Sequence, residues 1–149
     1  MDETDRHIVA LLREDARRSF QDIGRRVSLT APAVKRRVDR LEAEGVIRGY
    51  SARVDPARYG WSTHAFVALY CEGRMAAEDV RAAVAHLAEV EAAYTVAGEA
   101  SAMLHVRARD TSHLEDALER IRDAPGVTRT QTQIVLSTLF ERPFHETPS

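Results

Sequence analysis

Arg25, Arg26, Lys35, Arg36, Arg37 and Arg40 fall within one short stretch, SFQDIGRRVSLTAPAVKRRVDRLEAEG, running from Ser19 to Gly45. Cations at this density suit one kind of chemistry. They hold the phosphates of a nucleic-acid backbone, and a guanidinium can also donate bidentately to the O6 and N7 of guanine. Arg36 is placed for the second role, and the small Ala33 one helical turn earlier can meet a thymine methyl. Arg25, Arg26, Arg37 and Arg40 suit phosphate contacts, which give affinity and register but no sequence information. The plain alternative is a solvated charged face, which is what most charge runs are.

The elements that must carry these residues are legible in the same stretch. Ser19 is placed to cap a first helix, with Asp22 at the third position of a capping-box pattern. Phe20, Ile23 and Val27 share one face of that helix. Ser28 and Leu29 form a turn, Thr30 caps a second helix, and Pro32 falls in its first turn, where a missing N–H costs little. Val34, Val38 and Leu41 make the second apolar stripe, and Gly45 stops it. The outward face then holds Pro32, Ala33, Arg36 and Arg40, flanked by Lys35 and Arg37. Two capped helices joined by a tight turn, the second one cationic, are the build of a helix-turn-helix that places its second helix in the major groove of double-stranded DNA. Ser28 and Thr30 complete the expected DNA-facing set. A helix over about residues 3–15, capped by Thr4 and packing through Ile8, Leu11 and Leu12, supplies the third member. After Gly45 the run VIRGYSARV has strand character and suits a wing or a connecting strand.

Charge divides the chain. Residues 1–60 carry a net of +3 and residues 61–149 a net of −5, so the formal total of −2 hides a basic unit joined to an acidic one. DNA repels the second, which must serve another purpose. In 149 residues there is room for two small units, of which the first is marginal alone and gains from oligomerisation. The acidic start MDETD and the lack of a long apolar run imply neither a secretory signal nor a membrane span. The single cysteine, Cys71, excludes an internal disulfide framework and fits the reducing cytoplasm as a packing residue.

Asp55-Pro56 and Tyr59-Gly60 mark a hinge over 55–62 between a DNA-binding domain at 1–54 and a second domain at 63–138, followed by a tail at 139–149. Strand character at 64–72, a helical pattern at 77–88, strands at 91–98 and 102–108, a helix at 112–123 and a strand at 127–138 give the order β-α-β-β-α-β. The expected class is therefore α+β, a (winged) helix-turn-helix domain followed by a ferredoxin-like βαββαβ domain with both helices on one face of a four-stranded antiparallel sheet. The other sheet face needs a cover, for which a second subunit is the obvious candidate.

With these motifs in hand, TDRHIVALLREDARRSF, KRRVDRLEAEGVIRGYSARVDP, VEAAYTVAGEASAMLHV and APGVTRTQTQIVLS together resemble the Lrp/AsnC family of feast/famine regulators, from about Asp2 to Thr138. The resemblance implies a transcriptional regulator with a ligand-sensing C-terminal domain. It further implies a homodimer that assembles to octamers or other rings, and a small effector, usually an amino acid, bound between sensing domains. The sensing loop that it marks is Gly98-Glu99-Ala100-Ser101, with Tyr94 and Met103 on the neighbouring strands. Two departures stand out. The chain has Ser28 where the family often has Gly, and Ser101 where the family pattern of Gly, two residues, then Asp supplies a carboxylate. Ser101 offers a neutral hydroxyl, leaving Glu99 as the charged candidate for a ligand ammonium. A simple hairpin turn is the bland reading of the same loop.

Other features point to no separate chemistry. His7, His64, His86, His105, His113 and His145 show no close ligand spacing, so neither a metal nor another cofactor is expected. HLEDALER reads as an acidic helix surface rather than a catalytic cluster, and Trp61 as a packing residue between domains or at an interface. Phosphate-binding loops and nucleophile elbows are lacking, and the chain is not expected to be an enzyme. Two alternatives stay open: a DNA-organising protein that senses nothing, and an enzyme akin to the sirohaem decarboxylases, which are similar in architecture.

Overall fold

The computed structural model describes residues 1–73 and 75–141, so His145 and the tail beyond Glu141 lie outside the described residues. The chain divides into two compact units between Val54 and Asp55.

The first unit contains three helices, α1 (Glu3–Glu14), α2 (Phe20–Val27) and α3 (Ala31–Ala43). The cap of α1 is Asp2 rather than Thr4, which sits inside the first turn. The Asp2 carboxylate accepts from the Asp5 N–H at 2.8 Å and the Asp5 carboxylate accepts from the Asp2 N–H at 3.0 Å, a reciprocal box. Ser19 and Thr30 cap α2 and α3 as the sequence implies, accepting from the N–H groups of Asp22 and Ala33. Ile8, Leu11, Leu12, Ile23, Val34 and Val38 form the buried core, with Phe20, Val27, Leu29 and Ile47 around it. Fully burying each of the large aliphatic side chains stabilises by roughly 1.5–3 kcal/mol. Helix α3 ends in a Schellman motif. Gly45 adopts φ 71°, the Val46 N–H donates to the Leu41 carbonyl and the Gly45 N–H to that of Glu42.

The strand expected in VIRGYSARV does not form: residues 46–54 carry no strand. A strand needs a ladder partner, and the rest of this unit is helical. Side chains hold the segment instead, Ile47 against the core and the Tyr50 hydroxyl donating to Glu42 at 2.8 Å.

In the second unit a short 3-10 turn (Pro56–Tyr59) precedes β1 (Thr63–Cys71), α4 (Ala77–Val84), β2 (Val90–Thr95), β3 (Ala102–Ala108), α5 (Thr111–Arg122) and β4 (Val127–Ile134). The sheet order is β2-β3-β1-β4, antiparallel throughout, as a ferredoxin-like βαββαβ unit requires. Alternation decides the two faces. Ala65, Val67 and Leu69 of β1 and Ala102, Leu104, Val106 and Ala108 of β3 pack against Val80, Ala83 and Val84 of α4 and Leu114, Ala117, Leu118 and Ile121 of α5. Helix α4 ends earlier than the apolar pattern suggested, yet Leu87 remains buried because the turn after α4 still points it inward. The intervening positions, His64, Phe66, Ala68 and Tyr70 of β1 and Met103, His105 and Arg107 of β3, lie on the helix-free face.

Candidate nucleic-acid interface and effector loop

Turn geometry sets where α3 begins. Ser28 closes α2 in the left-handed conformation, φ 57° and ψ 41°, and is the one non-glycine residue with positive φ among the described residues. Its N–H and that of Leu29 both return to the Gly24 carbonyl, so the chain reverses within two residues and delivers Thr30 as the next cap. Pro32 then lies in the first turn of α3.

The cations of this unit are not equivalent. Arg36 and Arg25 are exposed and have no hydrogen-bond or ion-pair partner among the described residues. Arg36 stands one turn beyond Ala33, which is half-buried at the start of the helix. Lys35 pairs with Asp39 at 2.6 Å and Arg26 with Asp22 at 3.3 Å, both exposed pairs one helical turn apart of the kind worth a few tenths of a kcal/mol. Arg37 and Arg40, read from the sequence as phosphate contacts, are engaged within the protein. Arg37 donates to Asp2 at 2.7 Å and Asp5 at 2.8 Å, and Arg40 to Asp5 at 2.6 Å. Asp5 is 1% exposed. The Arg37 hydrogen bond is the main cause holding the Asp2 carboxyl down at about 2. Burial pushes Asp5 up, but the Asp2 N–H and Arg37 more than offset it, so Asp5 also titrates below the usual range. Asp2 and Asp5 escaped the sequence reading because acids in a first helical turn are accounted for by the helix dipole alone.

On the second unit, the loop between β2 and β3 borders a cavity of about 360 Å³ on the helix-free sheet face. Glu99, Ala100 and Met103 line it, together with Phe66, Ala68, Tyr70, Val96, Gln131 and Gln133, which no motif singled out. All but Val96, which follows β2, are alternate residues of β1 and β4, visible only once the register is known. Its volume lies in the range of small-molecule pockets. Gly98, at φ 133°, makes the bend that carries Glu99 to the cavity rim. Ser101 faces elsewhere: its hydroxyl accepts from the Cys71 N–H at 3.2 Å and its own N–H donates to the Leu69 carbonyl at 2.8 Å. Tyr94 sits opposite Met103 in the ladder but is 60% exposed and lines a separate recess along β2 and α4.

The remaining sequence readings resolve locally. Cys71 is half-buried at the core margin. The Trp61 ring lies 5.6 Å from that of His113, within the second unit. His113 and Arg120, from the stretch read as an acidic helix surface, reach the buried Glu89 at 2.9 and 2.6 Å. Folding brings His64 and His105 within 3.0 Å, yet no group of three or more metal-ligating side chains forms among the described residues. No helix there is long and apolar enough to cross a membrane.

An exposed arginine on the second helix of a capped pair, joined to a ferredoxin-like unit with a loop-edged cavity, defines a helix-turn-helix protein with an appended sensing domain. Residues 1–42 match the AsnC-type helix-turn-helix domain and residues 64–143 the Lrp/AsnC ligand binding domain. The chain belongs to the Lrp/AsnC family and is a DNA-binding transcriptional regulator of that type. It is 50% identical over 142 residues to the HTH-type transcriptional regulator Rv2324 of Mycobacterium tuberculosis, covering 95% of this chain and 96% of that one. Among solved structures it is similar to the feast or famine regulatory protein Rv3291c of M. tuberculosis complexed with L-methionine, with TM-score 0.89, 40% identity and 97% of each chain covered. It is similar too to the transcriptional regulator NMB0573 of Neisseria meningitidis in complex with L-Met, with TM-score 0.86, 26% identity and 95% and 93% covered. These relatives are named as regulators, which removes the enzyme alternative.

Proposed function

We propose that α3 enters the major groove with Ala33 and Arg36 at base edges, while Arg25, Arg26 and Lys35, with the turn residues Ser28 and Thr30, meet the backbone. The carrying observation is Arg36, exposed and unpartnered one turn into a helix whose neighbouring cations are paired. The effector is an amino acid held at the Gly98–Ser101 loop, with Glu99 facing its ammonium group and the cavity taking its side chain. Support comes from the cavity that Glu99 and Ala100 border and from the relatives solved with L-methionine. A second copy of the chain covers the helix-free sheet face, where Phe66 and Val96 are 42% and 38% exposed, and dimers assemble further into rings such as octamers. The site of action is the cytoplasm. Ligand binding shifts the preferred assembly, which it can do only by binding one assembly more tightly than another.

A second reading, a DNA organiser that senses nothing, draws on Ser101, whose hydroxyl is already taken by the Cys71 N–H. A thermal-shift series against the common amino acids separates the two. Ligand at about a hundred times its dissociation constant adds about 2.7 kcal/mol to folded-state stability. A raised melting temperature for one amino acid, lost in Glu99→Gln, establishes the sensing role, whereas no shift across the series leaves the organiser.

A further inference from the structure

Arg37 and Arg40 carry the sign of charge that DNA attracts, on the helix that reads DNA, yet both guanidiniums are turned back onto the first turn of α1. The arrangement is graded. Asp5 is buried and both of its oxygens are taken, one by Arg37 at 2.8 Å, the other by Arg40 at 2.6 Å and the Asp2 N–H at 3.0 Å. Arg40 and the Asp2 N–H stay on the Asp5 carboxylate if Arg37 turns outward, so the buried charge keeps a cation and Arg37 is the partner that can be released. Asp2 differs: its side chain is 53% exposed, and it holds Arg37 from the solvent side at 2.7 Å. Arg40 has a further acid, Glu44, at 3.8 Å. The outer acids add negative charge beside a helix that must approach a polyanion, which is a cost to affinity unless it serves discrimination.

We infer that Asp2, backed by Asp5, is a specificity-determining residue of the reading helix: it withholds Arg37 from the DNA backbone and thereby suppresses sequence-independent binding. Phosphate contacts contribute equally at every site, so each one added raises random binding and each one withheld widens the gap between target and random DNA. Asp5 keeps the withheld cations in one geometry, and Asp2 sets how firmly Arg37 stays there. The inference rests on the proposed placement of α3 in the major groove.

The test uses the full chain with two duplexes of equal length, one obtained by selection from a random library and one scrambled. Asp2→Ser removes the carboxylate but keeps a residue able to cap α1. The expected result is tighter binding to the scrambled duplex, by roughly 5–10-fold at about 0.1 M salt for each reading helix, with the slope of log K against log salt steeper by about one. The ratio of selected to scrambled affinity falls. Arg37→Ala in the Asp2→Ser background abolishes the gain, while Arg37→Ala alone leaves scrambled binding near that of the parent. An unchanged slope and ratio in Asp2→Ser overturns the inference, as does a gain that survives Arg37→Ala, or weaker binding to both duplexes with a lowered melting temperature. Failure of the underlying groove placement is distinguishable, since Arg36→Ala would then leave the selected-to-scrambled ratio as it is in the parent.

Discussion

The carbonyl of Leu29 occupies the space that a β-carbon on Gly24 would need, while the Leu29 N–H donates to the Gly24 carbonyl at 2.9 Å. The two backbones are in direct contact across the turn, and the close approach of α2 to the entry of α3 depends on the absence of a side chain. Gly24→Ala must push the turn outward, because the obstructing atom is backbone and cannot swing aside. Overpacking of this kind costs about 1–3 kcal/mol. Urea unfolding should show the lower midpoint, and affinity for the selected duplex should fall with it because α3 is displaced. An unchanged midpoint would show that the turn has room to spare.

Ser28 presents the opposite case. Its left-handed backbone is strained for a residue with a β-carbon, and the strain disappears in Ser28→Gly. Allowing for the extra freedom glycine gains in the unfolded chain, a rise of up to about 1 kcal/mol in stability is expected, read as a higher melting temperature. A β-branched replacement such as Ser28→Val should move the melting temperature the other way.

Arg36→Ala should weaken binding to the selected duplex by about 1–3 kcal/mol and relax discrimination at one base position, leaving scrambled binding nearly as it is in the parent. Arg25→Ala should instead weaken both duplexes alike and flatten the salt dependence. The pair of variants separates base reading from backbone attraction in one set of titrations.

Glu89 gives the second unit an acid-sensitive anchor. Burial raises its pKa, but the hydrogen bond from Arg120, its own backbone N–H and the bond from His113 outweigh that and hold it at about 2. A carboxylate depressed in the folded state takes up its proton first in the unfolded chain, so its contribution is complete above about 4.5 and is lost as pH falls toward about 2. Trp61, the only tryptophan, lies beside His113 with the two rings tilted by 50° and reports locally through its fluorescence. In urea titrations monitored at Trp61, the midpoint should drop through that window, and Glu89→Gln should flatten the drop. An equal acid response in parent and Glu89→Gln would assign the sensitivity to other groups.

Local signals made most of the fold readable. Ser19, Thr30 and Gly45 each act within a few residues of themselves, and the alternation along β3 fixes which of its side chains meet the helices. Interactions across sequence were hidden. Nothing adjacent to Arg37 announces that Asp2 and Asp5 will reach it, and nothing near Glu89 announces Arg120. The sequence reading places the α1 cap at Thr4 instead of Asp2, because residue type alone does not show which side chain accepts the hydrogen bond that defines a cap. The Gly98–Ser101 loop was legible in the sequence, but the cavity beside it depends on β1 and β4 register, so Phe66, Gln131 and Gln133 could not be placed beside Glu99. The strand expected after Gly45 shows the same limit: β propensity at Val46–Val54 has no outlet without a neighbouring ladder.

The order β2-β3-β1-β4 leaves two strands with an open edge, and the two are protected differently. Strand β4 is written as VTRTQTQI, polar at nearly every position. Strand β2 is more apolar, but its ladder slips between Val90 and Ala92, and Glu91 in that irregularity is held by Arg107 at 2.6 Å. Irregular pairing and fixed charge are how sheets discourage indiscriminate strand addition. Where copies of a chain crowd together, open sheet edges are the places at which they fuse into aggregates. With β2 irregular and charged and β4 polar, open-ended growth by strand addition is disfavoured at both edges even when the chain is concentrated.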